Sequence, residues 1–506
     1  MKKVLIIGLD GGTFKAIKKF INALPNFKFL INNGTHGILK STIPFLTVPA
    51  WPSFYTGVNP GKHSVFHFLT IHKFNLDERR VYSFADVKEK SLWKILSENK
   101  KRCLVWNVPM TFPPEEINGK LVGGLLSLST KRFAYPLELE NELKKQNYVI
   151  DASYLDLHDM DPEKSFKIIQ KIDNDRFEIW KKNYLEEKWD FSMIVFKSSD
   201  IVGHEFWNDD KKVKTTYQNL DMLLGKILKL IDKETALFIM SDHGFNSYEE
   251  TFNIMAWLNN AGYVEYMKSE LNDVTTKSWR QIQSTNSKSS VVRRLLGAVG
   301  FDRQKLSKNK YFDKFRKIIP KSIKKIIRHN IPQSTKTINW NKTKAYTQLG
   351  ANSTWGININ LSGRESAGII KESEYQKLRN ELILKLQNLK DRNGQKIFKF
   401  VLPREKVYFG KYVNEAPDII FDSADSKRLI VARFDNDLFT PTTYYTNSYH
   451  DQDGIFFAFG PDICSSKEIR PINIIDIAPT ILDYMNLEIP KNIDGKIARE
   501  IYKIKK

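Results

Sequence analysis

Three short, largely apolar segments of this chain each lead into a carboxylate. Val4-Leu5-Ile6-Ile7-Gly8-Leu9 ends at Asp10, Ser192–Phe196 is followed by Asp200, and Ala236–Met240 leads to Asp242. Apolar runs this short, with no regular polar alternation, are strands buried on both faces, which means a parallel sheet covered by helices. A fourth run, Ile455–Gly460, has the same character, and stretches of helical periodicity (Ser91–Asn99, Pro162–Tyr184, Tyr217–Ile231) lie between the runs. The alternation predicts an α/β fold with a mostly parallel central sheet and helices on both faces. In such a sheet the ligand crevice lies beyond the carboxyl ends of the strands, so acids that close its strands share one edge.

Histidines accompany these acids. Asp200 is followed by His204 (Asp-Ile-Val-Gly-His), Asp242 by His243 (Ser-Asp-His-Gly), and His450 stands in the loop Tyr449–Gly454 just before the fourth run. Taken singly, Asp10-Gly11 reads as a turn, Asp242 as a cap, and Asp200 with His204 as a solvated pair. Their common placement after core strands favours a joint role. Three carboxylates and three imidazoles form a mixed oxygen and nitrogen ligand set suited to Zn²⁺ or Mn²⁺. Six side chains are too many for one catalytic zinc with an open position, and they suit two cations roughly 4 Å apart.

A nucleophile candidate is Thr47, in the segment Ser41–Gly57. Pro44, Pro49, Pro52 and the following Pro60 frame a rigid loop that is expected to enter a helix near Trp51–Thr56. A threonine hydroxyl needs a base or a metal to lower its pKa before it attacks at neutral pH. No His/Asp pair stands beside it in sequence, so metal activation is the economical reading and a Ser-His-Asp triad is not expected.

Composition serves mainly to exclude. With 506 residues, 41% hydrophobic and 27% charged, the chain is neither a fibre nor a disordered polymer. It holds no apolar stretch of the ~18–20 residues a membrane span needs. The opening apolar run stops at Asp10, short of a signal-peptide core, and two cysteines (Cys103, Cys464) build no disulfide framework, so a cytoplasmic location is expected. Most of the net charge of +21 is local. Residues 271–330 carry 16 Lys/Arg against three acidic residues, a local +13.

That segment sets the expected domain organisation: a catalytic core from 1–266 and 338–506, with 267–337 inserted as a basic helical cap. Phe312, Phe315, Ile319, Ile323 and Ile326 fall on one helical face, Pro320 interrupts it, and Lys321, Lys324, Lys325 and Arg328 lie opposite. A cap packed on the core ranks first, with steering of anionic substrates as an added effect. Peripheral contact of 308–329 with an anionic membrane ranks second, and nucleic acid last.

With these motifs in hand, the chain resembles the alkaline phosphatase superfamily, in particular its type I phosphodiesterase/nucleotide pyrophosphatase branch. The likeness rests on the first-strand Asp10, the Thr47-Val48-Pro49 loop closed by Thr56-Gly57, Asp200-x-x-x-His204, Asp242-His243-Gly244, the late His450, and Asp476–Leu482 with Asp494-Gly495. Among its relatives it looks closer to a prokaryotic group sharing the Pro49-Ala50-Trp51 loop and a basic helical insert. The resemblance implies an alkaline phosphatase-like fold and two divalent cations, Zn²⁺ before Mn²⁺. One would be held by Asp10, Thr47, Asp242 and His243, the other by Asp200, His204 and His450. It further implies Thr47 as nucleophile, a phospho-threonine intermediate, and a small phosphoester substrate such as a nucleotide or another phosphodiester.

Two departures matter. The pyrophosphatases read Thr-Phe-Pro-Asn where this chain has Thr47-Val48-Pro49-Ala50, and Phe68 stands where they place a phosphate-binding Asn. A formylglycine-dependent sulfatase is disfavoured by Thr at position 47, and a phosphoglycerate mutase by the same residue. Lys62, His63 and Arg364 are secondary candidates for the substrate rim. Two alternatives stay open: a phosphomonoesterase or phosphotransferase on the same scaffold, and a binder of anionic lipid or polymer with a silent metal site.

Overall fold

The computed structural model describes residues 2–70, 80–127, 131–151, 157, 160–268, 336–347, 353–442 and 447–503. Its centre is a ten-stranded sheet. The strands are β1 (Lys3–Leu9), β2 (Thr35–Lys40), β3 (Cys103–Val108), β4 (Gly119–Gly123), β5 (Ala134–Tyr135), β6 (Phe191–Phe196), β7 (Thr235–Met240), β8 (Asp453–Phe459), β9 (Lys467–Glu468) and β10 (Ile472–Asn473). They lie in the order β9-β2-β8-β7-β1-β6-β3-β4-β5, with β10 also on β2. β7, β1, β6, β3 and β4 run parallel, as the apolar runs predict.

β1 shows how the sequence builds two layers. Val4 and Ile6 face a core with Trp51, Phe54, Trp93 and Leu482, while Leu5, Ile7 and Leu9 face another with Phe27, Phe177, Trp180 and Leu220. Side chains alternate across a strand, and both faces of this one are apolar, so helices cover both sides. The helices Thr47–Thr56, Leu92–Glu98 and Ile477–Tyr484 lie on the first face, and Pro25–Asn33, Pro162–Glu186 and Asp210–Leu230 on the second.

Two local expectations change. The fourth apolar run is not parallel: β8 pairs antiparallel with both β7 and β2. The helix expected to begin near Trp51 begins at Thr47. Pro49 sits in the first turn, where no backbone N–H is needed, so it does not delay the helix. Pro52, inside the helix, leaves the Val48 carbonyl without its helical partner.

A smaller antiparallel sheet, in the order Ala345–Thr347, Gly356–Ile359, Ile419–Ser423 and Phe398–Pro403, packs under the helix Glu372–Gln387 with its own core of Ile357, Leu382, Leu386, Val401 and Phe421. The basic segment expected over 267–337 lies outside the described residues except at its ends. There, Tyr266–Lys268 and Lys336–Ile338 pair as two antiparallel strands. The amphipathic stretch 308–329 is likewise outside the described residues.

Candidate active site

Register brings the strand-end acids to one level. Gly8 pairs with Met240 and Leu9 with Phe196, so Asp10 and Asp242, each two residues on from Gly8 and Met240, emerge side by side. Gly11 follows with φ +67, a left-handed turn open to glycine, and its N–H donates to Asp242 Oδ1 at 3.1 Å. Asp200 stands in the first turn of the helix Ser198–Phe206 and His204 one turn later, on the same face. His450 precedes β8. Because that strand is antiparallel, its beginning lies at the edge where the parallel strands end, and the pairing of Ser448–Asp451 with Gly244–Ser247 places His450 opposite Phe245.

All seven residues anticipated from the sequence meet at this edge. His204 Nε2 lies 3.3 Å from Asp200 Oδ1 and 2.9 Å from His450 Nε2, and His450 Nε2 is 3.6 Å from Asp200 Oδ1. His243 Nε2 is 3.3 Å from Asp242 Oδ2, 3.7 Å from Asp10 Oδ1 and 3.2 Å from Thr47 Oγ1. The rings of His243 and His450 stack at 3.6 Å, joining the two groups. Six of the seven are buried; His204 is part-exposed at the rim.

The electrostatics fit cations. His243 Nδ1 faces the Gly244 carbonyl and His450 Nδ1 the Phe45 carbonyl, each at 3.1 Å. A carbonyl only accepts, so both rings carry their proton on Nδ1 and turn the Nε2 lone pair into the cluster. Burial lowers the pKa of both imidazoles, that of His450 well below the ordinary value. Both oxygens of Asp10 and Oδ2 of Asp242 are buried with no hydrogen-bond donor among the described residues. Burial, then the Asp242 charge, raises Asp10 well above the usual range; burial, then Asp200, pushes Asp242 up to about 7. Burial also works against ionised Asp200, but Lys197 and then His204 outweigh it and hold that carboxyl well below its ordinary value. Imidazole nitrogens facing inward beside carboxylates lacking donors are groups that could hold a divalent cation. Two groups have ligand atoms within 4.8 Å of one another: Asp200, His243 and His450, and Asp10, Asp242 and His243.

Lys197 is a feature that the sequence reading missed. It is buried, with Nζ 3.3 Å from Asp200 Oδ2 and 3.9 Å from Asp10 Oδ2. Its signal was a charged residue closing the apolar β6, three positions before Asp200. Burial disfavours its charge, yet Asp10 and Asp200 reverse that and raise its pKa. The turn at Lys197 is held from behind. Asp173 accepts from the N–H groups of Lys197 and Ser198 at 3.3 and 3.0 Å, and Arg176 joins Asp173 to the Val195 carbonyl.

The secondary candidates lie elsewhere. Lys62 pairs with Asp494, and Arg364 binds Asp418 and the Ile359 carbonyl. His63 meets Ser53 Oγ at 2.8 Å, but the Val65 N–H donates to its Nδ1, so its Nε2 carries the proton and cannot serve Ser53 as a base. Phe68 packs between an apolar group containing Val48 and an aromatic one containing Phe45 and Trp355.

The sequence matches the family described as type I phosphodiesterase / nucleotide pyrophosphatase over residues 4–453. No curated protein matches it significantly. Among solved structures it is similar to murine ectonucleotide pyrophosphatase/phosphodiesterase 5, with TM-score 0.51 and 12% identity over 97% of both chains. An inactive variant of that murine protein in complex with AMP matches equally. The human counterpart matches with TM-score 0.51 and 14% identity, over 98% of this chain and 97% of that one. Among the described residues no helix is long and apolar enough to cross a membrane.

Proposed function

Since the chain belongs to the type I phosphodiesterase/nucleotide pyrophosphatase family, we propose that it hydrolyses phosphodiester or pyrophosphate bonds with Thr47 as nucleophile and two divalent cations as cofactors. The observation that carries this reading is the convergence of three buried carboxylates and three imidazoles at one sheet edge, with the Thr47 hydroxyl 3.2 Å from His243 Nε2. Asp10, Thr47, Asp242 and His243 would hold one cation, and Asp200, His204 and His450 the other. Bound cations of this kind lower the pKa of the threonine hydroxyl and offset charge on the phosphate oxygens.

The chain's own residues do the rest. The helix that begins at Thr47 aims Oγ1 into the cluster. Oγ1 forms a bond to phosphorus as the bond to the leaving oxygen breaks, and the hydroxyl proton departs with the leaving group. Water then cleaves the phospho-threonine ester and restores the hydroxyl. The two stacked imidazoles keep their Nδ1 protons on carbonyls throughout, so their Nε2 atoms stay available as ligands. Phe68, which stands in the sequence where the pyrophosphatases have a phosphate-binding Asn, packs against apolar and aromatic side chains and has no group to hydrogen-bond a phosphate oxygen. Nucleotides are the first class to test, since AMP occupies the related murine structure.

Hydrolysis of bis-p-nitrophenyl phosphate should exceed that of p-nitrophenyl phosphate, with Zn²⁺ and Mn²⁺ compared directly. Thr47→Ala should abolish turnover while retaining most bound metal. Parent-like activity in that variant rejects the nucleophile, and faster monoester hydrolysis rejects the diesterase reading.

A further inference from the structure

Lys197 has no part in the chemistry above. We propose that it is a positioning residue that sets the planes of the Asp10 and Asp200 carboxylates and thereby ties the two ligand groups together; this rests on the two-cation reading of the site. Each of the three acids divides its oxygens. Asp242 turns Oδ2 toward His243 and gives Oδ1 to the Gly11 N–H. Asp200 turns Oδ1 toward His204 and His450, and its Oδ2 lies 3.3 Å from Lys197 Nζ. Asp10 turns Oδ1 toward His243, with Oδ2 3.9 Å from the same ammonium. A backbone amide thus orients one carboxylate, and a single side chain contacts the other two, one from each group.

The lysine is itself held. Asp173 accepts from its N–H, and Arg176 fixes Asp173 and the end of β6. Its side chain is 6% exposed, so it does not sample solvent as a surface lysine would. An ammonium at this place hinders either carboxylate from turning both oxygens toward the imidazoles. Partners that orient a metal ligand in this way typically contribute about 10- to 100-fold in metal affinity.

The test is Lys197→Met, which keeps the length and removes the charge, with Zn²⁺ affinity read by competition against a chromophoric chelator. At least one of two equivalents should bind about 10- to 100-fold more weakly, with far-UV circular dichroism and cooperative unfolding retained. Affinity equal to or tighter than the parent in the folded variant overturns the proposal. If the variant does not fold, a crystal structure of the Zn²⁺-loaded parent decides. Nζ keeping its approaches of 3.3 Å to Asp200 Oδ2 and 3.9 Å to Asp10 Oδ2 upholds the role, and Nζ turned away from either carboxylate overturns it. A parent protein that binds fewer than two equivalents overturns the two-cation reading itself, and is recognised because the defect is present without any substitution.

Discussion

Gly8→Ala tests how the nucleophile is aimed. Gly8 lies in β1 beneath the Thr47–Thr56 helix, and a methyl there would stand 2.6 Å from Trp51 Cη2 and 2.8 Å from Val195 Cγ2. Ordinary contact begins at 3.4 Å, so about 0.8 Å of movement is required. β1 is clamped by β6 and β7, which leaves the helix to move. Trp51 and Thr47 are four residues apart on one helical face, so Oγ1 is carried along. Overpacking of this kind costs about 1–3 kcal/mol. A misplacement near 1 Å at a reacting group costs up to about 100-fold in rate. The expected outcome is a 10- to 100-fold fall (on the order of that figure) in kcat on bis-p-nitrophenyl phosphate. Bound zinc should stay near the parent's, and the urea midpoint should fall accordingly. Trp51→Phe removes the offending ring edge while the Val195 contact stays, so the double variant should recover most of the kcat loss and part of the stability loss. Parent-like kcat in Gly8→Ala, or a loss undiminished beside Trp51→Phe, would refute the reasoning.

Two further outcomes concern pH. Burial lowers the His63 imidazole to about 3, against about 6.5 in the unfolded chain. The unfolded state therefore takes up the proton first: this contribution is complete above about 6.5 and is lost as pH falls toward about 3. His63→Gln should flatten that part of the urea midpoint profile relative to the parent; an unchanged slope contradicts it. Asp242, pushed up to about 7, behaves oppositely in chelator-treated protein. Its contribution is present below about 3.9 and is lost as pH rises through about 7. Zn²⁺ should accordingly raise the melting temperature more at pH 8 than at pH 5, and Asp242→Ala should lose that difference along with activity. Equal shifts at both pH values would refute the assignment.

Much of the site was legible because strand-end acids need only a sheet to bring them together. Asp10 and Asp242 follow runs whose burial on both faces is written in their residue types, and parallel register then levels them. Asp200 and His204 are four apart, which any helix resolves onto one face. The helix start at Thr47 was less legible, since prolines suggest a loop until their positions within the first turns are known. Lys197 was missed because a lysine after a strand is ordinarily solvated; only burial against two carboxylates gives it a role.

Residue order alone determined the alternation of buried strands and helices, the acids that end those strands and a threonine framed by prolines, because these depend on periodicity and local backbone chemistry. The direction of β8 was decided only in three dimensions. Its antiparallel run brings His450 to the same edge as acids more than two hundred residues away, and no local pattern distinguishes that direction from its reverse. The tautomers of His243 and His450 were decided there too, since the carbonyls that hold their Nδ1 protons take their places only when the chain has folded.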